Sequence, residues 1–329
     1  MQSKNDMANL AFFGTPHFAV PALRVLREYS LKHGHNLKMV ITKPDIAQGR
    51  GLKESAPPVK ILAQDLGIHV LQPESLRKNT PEGTHFFSQF KEAQIDLAIV
   101  VAYGKIIPGR FLSLVSRNFV NIHASLLPRF RGAAPIQHAI LSGDTKTGVC
   151  LMEVVQKLDE GDIFACRETP IIMSDTSGTL FRRLSHLGAD LLHDELHALI
   201  AGTKAKKAQD LAGATYAPMI EKSAGAISFD APASFIAAQV RAYDPWPTAY
   251  ASINNKRVQF FDSFYINTNL RKASLGTIVA VNPFLGVKAI DGIVYFQTIQ
   301  VEGKKALPVK EALKGFNLKI GDEIRPFAP

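Results

Sequence analysis

The stretch FVNIHASLLPRFRGAAP, residues 119–135, decides how the chain is organised. It begins as an apolar strand, in which successive side chains point to opposite sides, so Asn121 and His123 share one face. The chain then passes Pro128, turns at Gly132 and resumes as a helix from about Ala133. Open α/β sheets carry their functional groups at the carboxyl ends of strands. The stretch therefore predicts a pair of functional polar side chains at such an end.

Up to Gly202 the chain alternates strands with helices, which predicts a mostly parallel sheet covered on both faces. The most continuous apolar run, residues 95–102, is typical of a central parallel strand. N-cap residues after Asp175 predict a long helix to about Ala201, with Gly202 where a helix usually stops. The other predicted strands are residues 10–13, 37–41, 69–71, 148–155 and 163–167.

The composition changes at Thr203, where a segment of lysines and small polar residues predicts an exposed basic linker. Beyond it, one helix at 233–243 precedes a series of strands with hairpin turns at Asn254-Asn255 and Asp291-Gly292. A small β-barrel is the expected result. The predicted domains are residues 8–202, 203–222 and 223–329.

The formal net charge of +9 is concentrated in the second half of the chain. Up to Gly202 there are 22 Lys and Arg against 19 Asp and Glu, whereas from Thr203 onward there are 16 against 10. A basic domain attracts polyanions through phosphate contacts and counterion release. Nucleic acid is therefore a candidate partner of the C-terminal part, with an ordinary basic surface as the alternative.

Several protein classes receive no support from the sequence. No apolar run reaches the roughly 18 residues that a membrane-spanning helix needs, and the N-terminus lacks the apolar core of a signal peptide. Cys150 and Cys166 lie singly in apolar segments, which predicts buried free thiols in a reducing cytoplasm, with a disulfide as the less favoured alternative.

Dinucleotide and metal sites are equally unsupported. The turn after the first strand reads F-G-T-P-H instead of G-x-G-x-x-G, and Pro16 removes a backbone donor that phosphate binding would use. His193 and His197 have helical spacing, but the neighbouring acids Asp190, Asp194 and Glu195 indicate a solvated face, so no metal is expected.

Asn121, His123 and a carboxylate of the turn K-L-D-E-G-D, residues 157–162, are the candidate reactive groups. An amide can stabilise an oxyanion, an imidazole can give or take a proton near neutral pH, and a carboxylate can orient that imidazole. Together they suit acyl transfer to an amine, which needs no serine or cysteine nucleophile. Taken singly, each residue also fits an ordinary structural role.

The polar loop 42–56 carries Arg50 between two glycines, with Lys53 close behind. A long loop without secondary structure is more often functional than not. It is either an arm that meets an anionic substrate or a plain surface loop.

The run N-I-H-A-S-L-L-P-R-F-R-G-A-A-P-I-Q resembles the signature of the folate-dependent formyltransferases. F-F-G-T-P-H-F-A, L-D-E-G-D and D-T-S-G-T-L follow the order of that family. R-A-Y-D-P-W-P and the loop T-K-P-D-x-x-x-G-R-G are similar to the branch that acts on initiator tRNA. The resemblance extends from about residue 10 to 327.

The resemblance implies a Rossmann-like formyltransferase α/β domain and a C-terminal OB-like barrel. It implies transfer of a formyl group from 10-formyltetrahydrofolate, a consumed co-substrate, to the α-amino group of methionyl initiator tRNA, without a metal. A cytoplasmic monomer is expected. The implied catalytic residues are Asn121, His123 and Asp159, supported by Asp162. The implied folate-binding residues are Ser125, Leu126, Leu127 and Pro128. The expected tRNA-binding residues are Arg50, implied by the resemblance, and the basic Lys53, Lys204, Lys206 and Lys207.

Two departures from the family pattern stand near these residues. Ala124 replaces the usual glycine between His and Ser, and Ile46-Ala47-Gln48 replaces a more basic start of the arginine loop. The alternatives are a formyltransferase for glycinamide ribonucleotide or a sugar amine, a formyl-folate hydrolase, and a nucleic-acid-binding module without catalysis. The last leaves Asn121, His123 and Asp159 without a role.

Overall fold

The structure is a computed structural model that describes residues 7–48, 53–268 and 273–327. Contacts divide the chain into two compact units. The first comprises the chain up to Gly132 with Gly148–Thr169 and Phe181–Tyr216; the second comprises Ala133–Thr147, Pro170–Leu180 and the chain from Ala217 onward.

The first unit is built on a seven-stranded sheet. The strands in this part of the chain are β1 (Asn9–Gly14), β2 (Asn36–Ile41), β3 (Ile46–Gln48), β4 (Lys53–Ser55), β5 (Val70–Leu71), β6 (Leu97–Val101), β7 (Asn118–His123), β8 (Arg131–Gly132), β9 (Lys146–Glu153) and β10 (Ile163–Pro170). Of these, β3, β4 and β8 lie outside the seven-stranded sheet. The sheet order is β10-β9-β7-β6-β1-β2-β5. The pairs from β7 to β5 are parallel, whereas β9 runs antiparallel to β7. The predicted mostly parallel sheet is confirmed.

Helices connect these strands and continue beyond them. They are α1 (Val20–His33), α2 (Pro58–Asp65), α3 (Pro81–Glu92), α4 (Gly109–Leu112), α5 (Pro135–Leu141) and α6 (Ser177–Ala201). The long helix α6 ends where expected, because Gly202 adopts the left-handed φ of 70° that glycine accepts without strain.

Burial explains the central position of β6. All five of its residues are buried, since a strand covered by helices on both faces has no solvent side. One face packs on an aromatic cluster that includes Phe13, Phe90 and Phe119. This rigid centre carries β7, whose carboxyl end holds the polar pair.

Two expectations for this unit are wrong in detail. The loop 42–56 contains a short antiparallel hairpin of β3 and β4, so it is not without secondary structure. Cys150 and Cys166 are joined by a disulfide, and Cys166 is exposed, so the pair is not two buried free thiols. Their strands are sheet neighbours, and the Cα atoms lie only 4.1 Å apart.

The disulfide predicts a stability that depends on reductant. It closes a loop with a sequence separation of 16, and cross-links over such loops stabilise by about 3 kcal/mol by restricting the unfolded chain. We expect denaturant unfolding to show a loss of that order after reduction. The Cys150→Ala/Cys166→Ala double variant should match the reduced protein and ignore reductant. Two titratable thiols in unreduced, unfolded protein would contradict the disulfide.

The second unit is built on an antiparallel sheet with the helix α7 (Ala233–Ala242) packed in its core. From residue 216 onward the strands are β11 (Tyr216–Ala217), which is not part of this sheet, β12 (Ala249–Ile253), β13 (Lys256–Asn267), β14 (Ile278–Ala280), β15 (Leu285–Lys288), β16 (Gly292–Val301) and β17 (Leu307–Pro308), and α8 (Val309–Ala312) follows. The sheet order is β12-β13-β16-β15-β14, with β17 beside β16. Asn254 and Asn255, both with positive φ, form the expected hairpin turn. This sheet is consistent with the predicted OB-like domain.

No helix among residues 7–48, 53–268 and 273–327 is both long and apolar enough to cross a membrane.

Candidate functional site

His123, at the carboxyl end of β7, has an oxygen atom facing each ring nitrogen. Its Nε2 lies 2.9 Å from the carbonyl oxygen of Phe130. Its Nδ1 lies 3.7 Å from Oδ2 of Asp159, which is within ion-pair reach but beyond hydrogen-bond distance. The residue is only 6% exposed. The structure thus brings together His123 and Asp159, which are 36 residues apart in the printed sequence.

The carbonyl of Phe130 determines which ring nitrogen of His123 carries a hydrogen. A carbonyl oxygen can only accept, so Nε2 carries a hydrogen and donates it to Phe130. A neutral imidazole would then present a bare Nδ1 to the carboxylate of Asp159. An imidazolium would present a donor to both oxygens.

Asp159 begins a tight turn in which its carboxylate is held in place. Its Oδ2 accepts a 2.8 Å hydrogen bond from the backbone N–H of Gly132. Its backbone has a φ of 53°, a left-handed conformation that is uncommon outside glycine. Gly161 follows, and a Cβ there would lie 1.9 Å from the carbonyl oxygen of Glu153, so only glycine fits. This close approach of the backbone explains the glycine of the motif D-E-G.

Phe130, the second partner of His123, also has a left-handed backbone, with a φ of 56°. Non-glycine residues in this region cost of order 1–3 kcal/mol and persist where the surroundings hold them. The N–H of Phe130 bonds to Oγ1 of Thr215, and the N–H of Arg131 to the carbonyl of Thr215. Both residues that face the imidazole therefore have an uncommon backbone conformation.

Asn121 is half-buried on the same face of β7 as His123. The register pairs Asn121 with Met152 and His123 with Cys150, so each residue of the polar pair lies beside an apolar residue of β9. Among the described residues, none hydrogen-bonds to the Asn121 side chain. Its amide is available to a substrate.

The four residues expected at the folate site have different surroundings. Ser125 is fully buried, and its hydroxyl donates to the carbonyl of Arg129 at 2.7 Å, which closes the loop. Leu127 is buried in a small cluster with Cys150 and Met152. Leu126 and Pro128 are half-buried, so they are the two that present more surface.

Asp162 does not touch the imidazole. Its side chain is 38% exposed and lies 3.9 Å from the ammonium of Lys206. Its carbonyl accepts the N–H of Glu153, which joins the turn back to β9. Asp162 therefore contacts β9 and the basic segment.

Two further residues, which the sequence did not indicate as site residues, support the site through hydrogen bonds. Arg131, only 1% exposed, donates to Oε1 of Gln209 through Nε and Nη2. Gln209 in turn donates to the carbonyls of Asp159 and Gly161. Nothing in the local pattern K-A-Q-D distinguishes this glutamine from a solvated linker residue.

A lysine lies at the neighbouring strand end. Lys105 follows β6, which is parallel to β7, and its ammonium donates to the carbonyls of Pro73 and Glu74. Burial lowers the pKa of Lys105, and the charge of Lys43 lowers it further, whereas Glu82 and Glu74 act in the opposite direction.

The basic segment after α6 is mostly exposed, yet it is bonded to α6 and to the strands β9 and β10. Lys204 pairs with Glu195 at 2.6 Å, and Lys206 pairs with Glu153 at 2.6 Å. The backbone of Lys207 exchanges two hydrogen bonds with Ile163. Arg50 lies outside the described residues, and for Lys53 the structure describes the backbone position in β4 alone.

The described part of the chain contains no group of three or more His, Cys, Asp or Glu side chains that could hold a metal ion.

Comparisons with known proteins identify the family of the chain. The profile of the family described as "Formyl transferase" matches residues 8–196, and that of "Formyl transferase, C-terminal domain" matches residues 219–317. A methionyl-tRNA formyltransferase from Sulfurihydrogenibium sp. is 40% identical, over 94% of this chain and 98% of its own length. Its counterpart from Caldanaerobacter subterraneus subsp. tengcongensis is 38% identical, over 95% and 98%.

Solved structures share the fold at lower identity. WlaRD, a sugar 3N-formyl transferase solved in the presence of dTDP and 5-N-formyl-THF, has a TM-score of 0.66 and 18% identity, over 91% of this chain and 99% of WlaRD. HypX from Aquifex aeolicus, in complex with tetrahydrofolic acid, has a TM-score of 0.59 and 17% identity, over 97% of this chain. The match covers 49% of HypX, so this chain spans about half of that protein. From its two matched domains and its full-length relatives, the chain belongs to the formyl transferase family, in the branch of the methionyl-tRNA formyltransferases.

Proposed function

We propose that the protein transfers the formyl group of 10-formyltetrahydrofolate to the α-amino group of methionine on initiator tRNA. The observation that carries the proposal is the buried His123 facing the half-buried Asp159, with Asn121 beside them, in a chain that aligns with methionyl-tRNA formyltransferases over nearly its whole length. The geometry supplies the groups that acyl transfer to an amine requires. The full-length relatives indicate which amine.

The first step forms the new carbon–nitrogen bond. The neutral amino group attacks the formyl carbon, and the carbonyl oxygen becomes an oxyanion. Asn121 donates its free amide N–H to that oxygen, and the imidazolium of His123 donates Nδ1–H, which has no acceptor at hydrogen-bond distance in the described structure. Donors that are already in place stabilise this charge without reorganisation.

The second step breaks the bond between the formyl carbon and the folate nitrogen. The former amine nitrogen gives up a proton, and the departing nitrogen needs one. Asp159 accepts the proton of the former amine nitrogen on its carboxylate and then gives a proton to the departing folate nitrogen. The enzyme thus ends in its starting state. The bond from Gly132 N–H holds Oδ2 of Asp159, which leaves Oδ1 for this exchange.

We propose that residues 125–128 line the folate site, with Leu126 and Pro128 as the exposed part of that lining. The buried Ser125 keeps the loop closed, and Leu127 anchors it in the core. Asp162 supports the catalytic turn through its backbone bond to Glu153. The consumed folate requires no metal in this scheme.

We further propose that tRNA contacts the basic groups Arg50, Lys53, Lys204, Lys206 and Lys207. The ion pairs of Lys204 and Lys206 are partly exposed, and such pairs contribute little to stability, so a phosphate can replace the carboxylate. The proposed domains are residues 8–202, 203–222 and 223–329, in a cytoplasmic monomer.

One assay tests the proposed function. The purified protein is incubated with 10-formyltetrahydrofolate and either methionyl initiator tRNA or methionyl elongator tRNA, and formylmethionine is measured on each. We expect formylation of the initiator species. Formate release without acceptor would identify a formyl-folate hydrolase. Turnover restricted to glycinamide ribonucleotide or a sugar amine would identify another formyltransferase.

The lysines of the basic segment yield a prediction for tRNA binding. Lys206→Ala and Lys207→Ala should each raise the KM for tRNA several-fold and reduce the salt dependence of binding, because each lost phosphate contact lowers the slope by about 0.7–0.9. The KM for the folate should not change. Lys91→Ala, at an exposed lysine of α3, is the matched control. An unchanged salt slope in both variants would show that these lysines belong to an ordinary basic surface.

A further inference from the structure

Gln209 uses its whole hydrogen-bonding capacity on two segments of the site. Its Oε1 accepts from Nε and Nη2 of Arg131, at 3.2 and 2.9 Å. Its Nε2 donates to the carbonyls of Asp159 and Gly161, at 2.8 and 2.7 Å. A primary amide has two donor hydrogens and one acceptor oxygen with two lone pairs. This pattern is satisfied in one orientation of the amide, which gives the side chain a single favoured position.

The two accepting carbonyls lie on either side of Glu160, so Gln209 holds both ends of the tight turn. Glu160, between these two residues, is contacted by Arg131, whose Nη1 lies 3.4 Å from Oε1 of Glu160. Asp159 has the left-handed φ of 53°, a conformation that needs external support. The amide of Gln209 provides that support at the residue's own carbonyl.

The position of this turn sets the distance between Asp159 and His123. Their facing atoms are 3.7 Å apart, and no bond in the described structure joins the two side chains directly at shorter range. The alignment therefore depends on the backbone that carries Asp159. A displacement of about 1 Å in a reactive group can cost about 100-fold in rate.

We propose that Gln209 is a positioning residue for formyl transfer, acting by holding the carboxylate of Asp159 against the imidazole of His123. The inference rests on the proposed function, because its test measures the rate of formyl transfer. It also gives the segment after α6 a second role: besides carrying the lysines proposed to meet tRNA, it supports the catalytic turn.

The test is a double-mutant cycle between Gln209 and Asp159. Gln209→Ala should lower kcat by roughly 10–100-fold and change the KM of both substrates by less than about two-fold. Gln209→Glu keeps an acceptor for Arg131 but loses the donors to both carbonyls, so its kcat should fall as well, while its thermal stability stays near that of the wild type. Gln64→Ala, at an exposed glutamine of α2, should leave kcat unchanged.

In the Asp159→Asn background, Gln209→Ala should cause little further loss in single-turnover rate, because the carboxylate it positions is already gone. An equal loss in both backgrounds would overturn the inference and indicate a general structural role. Full activity of both Gln209 variants would also overturn it. Wild-type protein in the same assay tests the proposed function separately. If it formylates a different amine or hydrolyses the folate, the cycle is run on that activity, since the positioning concerns the same pair.

Discussion

Replacing His123 with alanine should lower the single-turnover rate of formyl transfer by about 10³-fold or more. The imidazolium is the proposed donor to the oxyanion, and lost oxyanion donors and lost acid–base groups each cost about 10²–10⁴-fold. The variant also removes the ring that faces the carboxylate of Asp159. Folate binding should persist, because His123 is not among the residues proposed to bind the folate. Rapid-quench measurement with labelled formyl donor checks the rate.

The control for this variant is His193→Ala, at a histidine whose side chain is 60% exposed on α6. It should keep wild-type activity. Thermal unfolding of both variants separates lost chemistry from lost folding, since His123 is buried and bonded to Phe130. Substantial residual turnover in folded His123→Ala would refute the role assigned to the imidazole.

Replacing Asp159 with asparagine should lower kcat by about 10²–10⁴-fold with little effect on folding. Asparagine tolerates the left-handed φ of 53° at this position, and its amide oxygen can still accept from the N–H of Gly132. The substitution therefore removes the charge and the proton acceptor while it keeps the turn. The KM for tRNA should change little, because no phosphate contact is lost.

Two aspartates serve as comparisons for that variant. Asp65→Asn, at an exposed position of α2, should have no effect. Asp162→Asn should have a smaller effect than Asp159→Asn, because Asp162 is 38% exposed and approaches Lys206 and not the imidazole. Equal losses at residues 159 and 162 would mean that the turn as a whole, and not the one carboxylate, is required.

Local pattern was sufficient for most of the fold. The apolar run at 95–102 predicted β6, and the Asn-Asn turn predicted the hairpin of β12 and β13. Period-2 alternation and turn chemistry are short-range signals, so they can be read without knowing what packs against them. The same alternation placed Asn121 and His123 on one face of β7.

The disulfide and the hairpin in the arginine loop were missed for the opposite reason. Neighbouring strands bring Cys150 and Cys166 within 4.1 Å between their Cα atoms, and no local pattern reports which residues will stand opposite one another. In the loop 42–56, the polar and glycine-rich composition hid two three-residue strands. Strands this short carry no readable period.

Among the candidate site residues, the chemistry of each was readable from its type, but its neighbours were not. The run from Asn121 to Gln137, together with several shorter motifs, identified a family, and the family implied Asp159 within a turn whose carboxylates were already candidates. Only the folded chain shows that the imidazole faces the Phe130 carbonyl on one side and Asp159 on the other. It also shows that a glutamine from a basic segment holds the turn that carries Asp159.

By itself, the sequence determined the order of elements, the two domain types and the shared face of Asn121 and His123, because these follow from side-chain period and turn residues along the chain. Tertiary structure alone decided which distant groups meet: Asp159 with His123, Arg131 with Gln209, and Cys150 with Cys166. These contacts depend on strand register and loop closure, which arise only when the whole sheet is assembled.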